Sequence, residues 1–85
     1  MSTSKNDLRI IKLEFGKKIL VHLSSGDILS IPYDYTPRLS HADPEDLKDY
    51  HLIGDGIGVH FPSLDEDISL KGIIKYKREH ELMAS

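Results

Sequence analysis

Three short runs with apolar residues at every second position, the first two closed by glycine-containing turns, restrict the first third of this chain more than any other feature. Ile11, Leu13 and Phe15 alternate with Lys12 and Glu14. Ile19, Val21 and Leu23 then alternate with Leu20 and His22, and Leu29, Ile31 and Tyr33 with Ser30 and Pro32. A period of two places one set of side chains on one face of a strand, and turns as short as Gly16-Lys17 and Ser24-Ser25-Gly26-Asp27 join neighbouring strands antiparallel. The expectation is a three-stranded antiparallel meander over 8–33. Pro32 and Pro37 each remove a backbone donor and bracket Tyr33-Asp34-Tyr35-Thr36, so the meander ends there.

The next segment changes period. Ala42-Asp43-Pro44-Glu45-Asp46-Leu47-Lys48-Asp49-Tyr50 offers Asp43 as a cap, Pro44 at the first helical position and acids in the first turn. It predicts a short helix that turns Leu47 and Tyr50 toward the sheet. Gly54, Gly56 and Gly58 follow at alternate positions. Glycines so placed admit positive φ or a close pass by another backbone. Ile57, Val59 and Phe61 predict a short fourth strand ended by Pro62. Asp67 or Ser69 then caps a second helix with Ile68, Leu70, Ile73 and Ile74 on its apolar side, and Lys71, Lys75, Lys77 and Arg78 on its wet side. The fold class expected is therefore α+β: the meander, a short fourth strand and two helices. Residues 1–7 read as a flexible arm, 8–76 as one domain and 77–85 as a helical or frayed tail.

A chain of 85 residues has room for one core, and with no tryptophan and 7% aromatics that core must come from Ile, Leu and Val. So small a core makes a homo-oligomer or a bound partner the expectation. Without cysteine there are no disulfides, thiolate metal sites or thiol nucleophiles. The apolar runs are too short for a membrane span and the polar start lacks a signal-peptide core, which points to the cytoplasm. A net charge of −3 works against direct nucleic-acid binding.

Seven residues are candidates for ligand or partner binding: Tyr33, Tyr35, Arg38, His60, Asp65, Glu66 and Asp67. His60 with the three acids combines an imidazole and carboxylates, a set that can bind a divalent ion or exchange protons. His41 and His51 have no spacing that brings them to it, so neither a metal nor a catalytic group is expected. The acids can equally serve the start of the following helix and pair with Arg38. The glycine run lacks the Lys-Ser/Thr end of a phosphate loop and precedes a strand, which reads as a tight turn. Arg38 can clamp a carboxylate or phosphate, or pair internally with Asp65 or Glu66. Tyr33 and Tyr35 can stack on a ligand or straddle core and surface. Ser24-Ser25 has no base or oxyanion context. No cofactor is expected.

The order of these motifs resembles a bacterial family of small uncharacterised proteins, domain-of-unknown-function family 2442. The resemblance rests on Ser25-Gly26-Asp27, Ile31-Pro32, Pro37-Arg38-Leu39, Ala42 with the Asp43-to-Tyr50 helix, and Gly58-Val59-His60-Phe61-Pro62-x-Leu64-Asp65-Glu66-Asp67-Ile68-Ser69-Leu70-x-Gly72-Ile73. Phe61 stands where the family usually has tryptophan, and Thr36 where an aromatic is common. The resemblance implies a small α+β domain, found in some members beside a helix-turn-helix for which this chain has no room after Ile74. It also implies an antitoxin-like or regulatory role toward a small, toxin-like protein partner. On this reading the chain is a non-enzymatic interaction module. The alternative is a domain that binds a small anionic ligand, a nucleotide or acidic metabolite, through Arg38 and His60.

Overall fold

The first three strands form where alternation is strongest. The structure, a computed structural model, describes residues 8–84, with side chains over 8–80. The expected arm over 1–7 and the final residue of the tail lie outside the described residues. β1 (Ile10–Phe15), β2 (Ile19–Leu23) and β3 (Ile28–Ile31) make a first antiparallel sheet in the order β1-β2-β3. Leu13 and Leu29 sit opposite Val21 from either side, and Ile19, Val21, Leu23 and Ile31 are buried on the inner face.

Two details of the meander differ from simple alternation. The pairing slips between Ile10 and Lys12, so one extra residue is accommodated at Ile11. Ile10 is consequently 1% exposed and Ile11 56%, although Ile11 was expected to share the inner face with Leu13 and Phe15. The cause is a second partner for β1: Ile10 N–H donates to the Gly56 carbonyl at 2.7 Å, and Leu13 N–H to the Tyr50 hydroxyl at 3.0 Å. β3 ends at Ile31, and Tyr33–Tyr35 form a 3-10 turn after Pro32 instead of a last strand residue.

Proline at a first helical position acts twice in the connection. α1 (Pro37–Ser40), absent from the sequence expectation, is capped by Thr36, whose Oγ1 accepts from Leu39 N–H at 3.2 Å. It buries Leu39. α2 (Pro44–Lys48) starts where expected, after Asp43, and the Asp46 carboxylate reaches back to Asp43 N–H at 3.1 Å. It stops before Tyr50. Freed from the helix, the Tyr50 ring meets Phe15 and Phe61 at centroid distances of 5.9 and 6.4 Å.

The expected fourth strand is the centre of a second sheet. β4 (His51–Ile53), β5 (Gly58–Phe61) and β6 (Glu66–Ser69) pair antiparallel in that order. β4 and β6 are the unexpected members: β4 has three residues, and β6 carries Glu66 and Asp67 where the sequence suggested a helix start. Of the two caps proposed for the last helix, Ser69 fills the role, its Oγ accepting from Gly72 N–H at 2.9 Å. α3 (Leu70–Ala84) follows. Asp67 lies inside β6. The class is α+β, with two three-stranded sheets and three α-helices among the described residues.

The β4–β5 turn holds the sheets together. Gly54 and Gly56 have φ of 57° and 107°, a region costly for other residues. A Cβ on Gly56 would stand 2.2 Å from the Ile10 carbonyl oxygen. The backbone hydrogen bond to β1 therefore requires glycine there. Val59, Phe61 and Ile68 of the second sheet and Leu70 and Ile73 of α3 complete one core with the inner face of the first sheet and with Leu39 and Leu47. Among the described residues no helix is long and apolar enough to cross a membrane.

Candidate functional site

The seven candidate residues do not converge on one place. Tyr33 is occupied within the fold, its hydroxyl donating to the Gly16 carbonyl at 2.5 Å and so bracing the β1–β2 turn. Arg38, on α1, reaches across to the turn before β6. Its Nη1 donates to the carbonyls of Leu64 at 3.1 Å and Asp65 at 2.6 Å, and lies 3.7 Å from the Asp65 carboxylate. Asp65 adopts the left-handed conformation that ends the Pro62–Leu64 3-10 turn. The internal partner foreseen for Arg38 is thus present, and main-chain carbonyls form most of the contact. The ion pair is exposed, so its own contribution is within ~1 kcal/mol.

His60 and Asp67 are opposite one another on β5 and β6, and Nδ1 of the imidazole is hydrogen-bonded to the Asp67 carboxylate. His51 stands opposite His60 on β4, with its own ring 3.8 Å from the Asp49 carboxylate. This row of His51, His60 and Asp67 lies on the outer face of the second sheet. Among the described residues no group of three or more histidine or acidic side chains is placed to hold a metal ion. Glu66 is opposite Phe61, on the other face from Asp67. The three consecutive acids therefore serve three different places: a turn end, an inner-face rim and an outer-face pair.

Tyr35 and Asp67 meet a feature the sequence did not disclose. An open groove of about 490 Å³ runs between the Tyr35-Thr36 segment, the Asp67–Ser69 portion of β6 and α3 at Gly72, Lys75, Tyr76 and Glu79. The Tyr35 ring meets Tyr76 edge to face, with centroids 5.0 Å apart. Burial, with the neighbouring Tyr76 adding to it, raises the Tyr35 phenol above its ordinary 10.0. A Cβ on Gly72 would meet the Tyr35 hydroxyl at an ordinary contact distance of 3.6 Å and would crowd Ser69 Oγ at 2.9 Å. The signal for the helix side of the groove was the spacing of Gly72, Lys75, Tyr76 and Glu79, which three- and four-residue steps place on one face.

Geometry of this kind separates Arg38 from His60. Each faces a carboxylate of its own, and neither lines the groove beside Tyr35 or the larger, more apolar one between Ile57 and Ile74.

Comparison with known proteins places the fold. The chain is similar to a protein of unknown function from Rhodospirillum rubrum, seen in a crystal structure, with 27% identity and a TM-score of 0.71 over 80% of this chain and 86% of that one. It is also similar to an uncharacterised protein from Chromobacterium violaceum, solved by NMR in solution, with 26% identity and a TM-score of 0.68 over 85% of this chain and 75% of that one. No curated protein matches the chain. The model of one family does match, over residues 10–79, covering every strand and most of α3, and the chain belongs to that family, described as Protein of unknown function (DUF2442).

Proposed function

We propose that the chain is a small non-enzymatic protein-interaction module, a regulatory or antitoxin-like subunit whose work is to hold a partner protein. The observation that carries this reading is the pair of open strand edges. Leu23 N–H bonds the Asp27 carbonyl, so Leu29 and Ile31 pair with β2 while Ile28 and Ser30 point their main-chain groups away from the sheet. Ile28 is 52% exposed on that strand, and Ile11 is exposed nearby on β1. The outer edge of β6 is bare in the same way. Exposed edges with apolar neighbours are sites where another chain can add main-chain hydrogen bonds.

The anionic-ligand reading has less support. Arg38 donates to two carbonyls, and His60 is bonded to Asp67, so each cation or potential cation already sits against negative groups. Purification of the chain at native levels tests the interaction reading. Recovery in a stoichiometric complex with a second protein is expected; recovery of the free chain alone at physiological concentration overturns it.

A further inference from the structure

We infer that the outer edge of β6 is a strand-addition site for an extended, basic segment of a partner protein. This rests on the interaction reading above and specifies its surface and the chemistry of what binds there. Main-chain parity comes first. Leu70 N–H donates to the Ile57 carbonyl at 2.9 Å, and the register continues with Ile68 opposite Val59 and Glu66 opposite Phe61. In an antiparallel ladder hydrogen-bonded pairs recur every second residue, so Glu66 and Ile68 bond inward to β5. Asp67 N–H and carbonyl and Ser69 N–H therefore point outward. Among the described residues no hydrogen bond reaches these groups.

Of the first sheet's two edges, that of β1 is closed. β1 has its outward Ile10 and Leu13 N–H groups taken by Gly56 and Tyr50. On β6 the next outward carbonyl, that of Asp65, is taken by Arg38, which marks one end of the bare stretch. The start of α3 marks the other. Alongside lies the groove, with Tyr35 across from the strand and Lys75 and Glu79 on the helix. A bare strand edge bordered by a groove and a helix is the geometry in which an extended peptide adds as a further strand.

Charge selects the occupant. A second copy pairing β6 with β6 antiparallel would set Asp65, Glu66 and Asp67 against one another, which disfavours self-addition. Asp65, Glu66 and Asp67 of this strand and its turn, with Glu79 of the groove, outnumber the cations beside them, Arg38, which is held by the turn carbonyls and Asp65, and Lys75 of the groove. Lysine or arginine at alternate positions of an incoming strand meets Asp67, whose side chain is 66% exposed, in opposite-charge cross-strand pairs.

Selection from a displayed library of random short peptides on the full chain tests this, followed by residue-resolved amide exchange. Enriched peptides are expected to carry alternate Lys or Arg and to slow exchange of the Asp67 and Ser69 amides about tenfold or more. Asp67→Pro removes the outward donor and leaves the inward bonds of Glu66 and Ile68, as edge strands tolerate; it weakens binding by about tenfold. Asp67→Asn keeps the donor and weakens binding less. Should Asp67→Pro fail to fold, the wild-type exchange pattern decides. Peptides that protect other amides, that bind Asp67→Pro undiminished, or that are not obtained at all overturn the edge site. A complex recovered from cells without protection at Asp67 and Ser69 also overturns it and leaves the interaction reading standing. Only recovery of the free chain overturns that reading as well.

Discussion

The two sheets have the same number of strands and the same antiparallel order, yet they are held by different means. In the first, alternating Ile, Val and Leu place enough apolar surface on one face for β2 to be buried along its whole inner side. In the second, β6 contributes Ile68 as its one buried residue, and β4 none. What fixes these strands is close backbone approach: Gly56 against Ile10, and Gly58, where a Cβ would stand 2.9 Å from the Ile68 carbonyl. A strand specified by its own side chains is robust to context, whereas one specified by a neighbour depends on that neighbour.

Glycine substitutions break this comparison most sharply. Gly56→Ala puts a Cβ into the Ile10 backbone and a side chain at positive φ. Destabilisation of roughly 3–5 kcal/mol is expected from the combined overlap and conformational terms, read in chemical denaturation. Gly26, in the turn between β2 and β3, also has positive φ but open space around its Cβ position, so Gly26→Ala should cost only about 1–2 kcal/mol. Equal effects at the two positions would remove the distinction drawn between the sheets.

Tyr50→Phe keeps the ring between Phe15 and Phe61 and deletes the acceptor for Leu13 N–H. A loss of about 1–3 kcal/mol is expected, with faster amide exchange at Leu13. No change in that exchange would mean that β1 is not closed by the 50–56 segment.

Smaller effects probe the groove. The raised Tyr35 phenol favours the neutral form in the folded state, so its contribution is complete below 10.0 and is lost as pH rises through the folded value. Thermal unfolding followed into alkali should show a steeper decline in the wild type than in Tyr35→Phe. Coincident profiles would place the ring in a solvent-like setting. Asp67→Asn, which weakens an exposed pair with His60, should shift stability by less than ~1 kcal/mol.

How much of this was legible in the sequence follows the same division. The meander was readable from Ile19, Val21 and Leu23, and the start of α2 from Asp43-Pro44, because both are local patterns. The glycines at 54 and 56 announced a tight turn near another backbone, though not which one. The bulge at Ile11 could not be read, since two adjacent isoleucines compete for the inner face and Gly56 decides between them. Nor could β6, whose Glu66 and Asp67 are poor strand formers and good helix-start residues. For the site, the Arg38–Asp65 contact followed from charge supply. The groove did not, because Tyr35 and Tyr76 lie 41 positions apart in the chain and meet only through the packing of α3.

The central claim is that the second sheet ends in a bare main-chain edge while the first has one of its edges closed. Residue-resolved amide exchange on the free chain tests it without any partner. The account predicts protected amides at Ile10, Leu13, Glu66 and Ile68, and fast exchange at Asp67 and Ser69. Protection at Asp67 and Ser69 equal to that at Ile68 would contradict it.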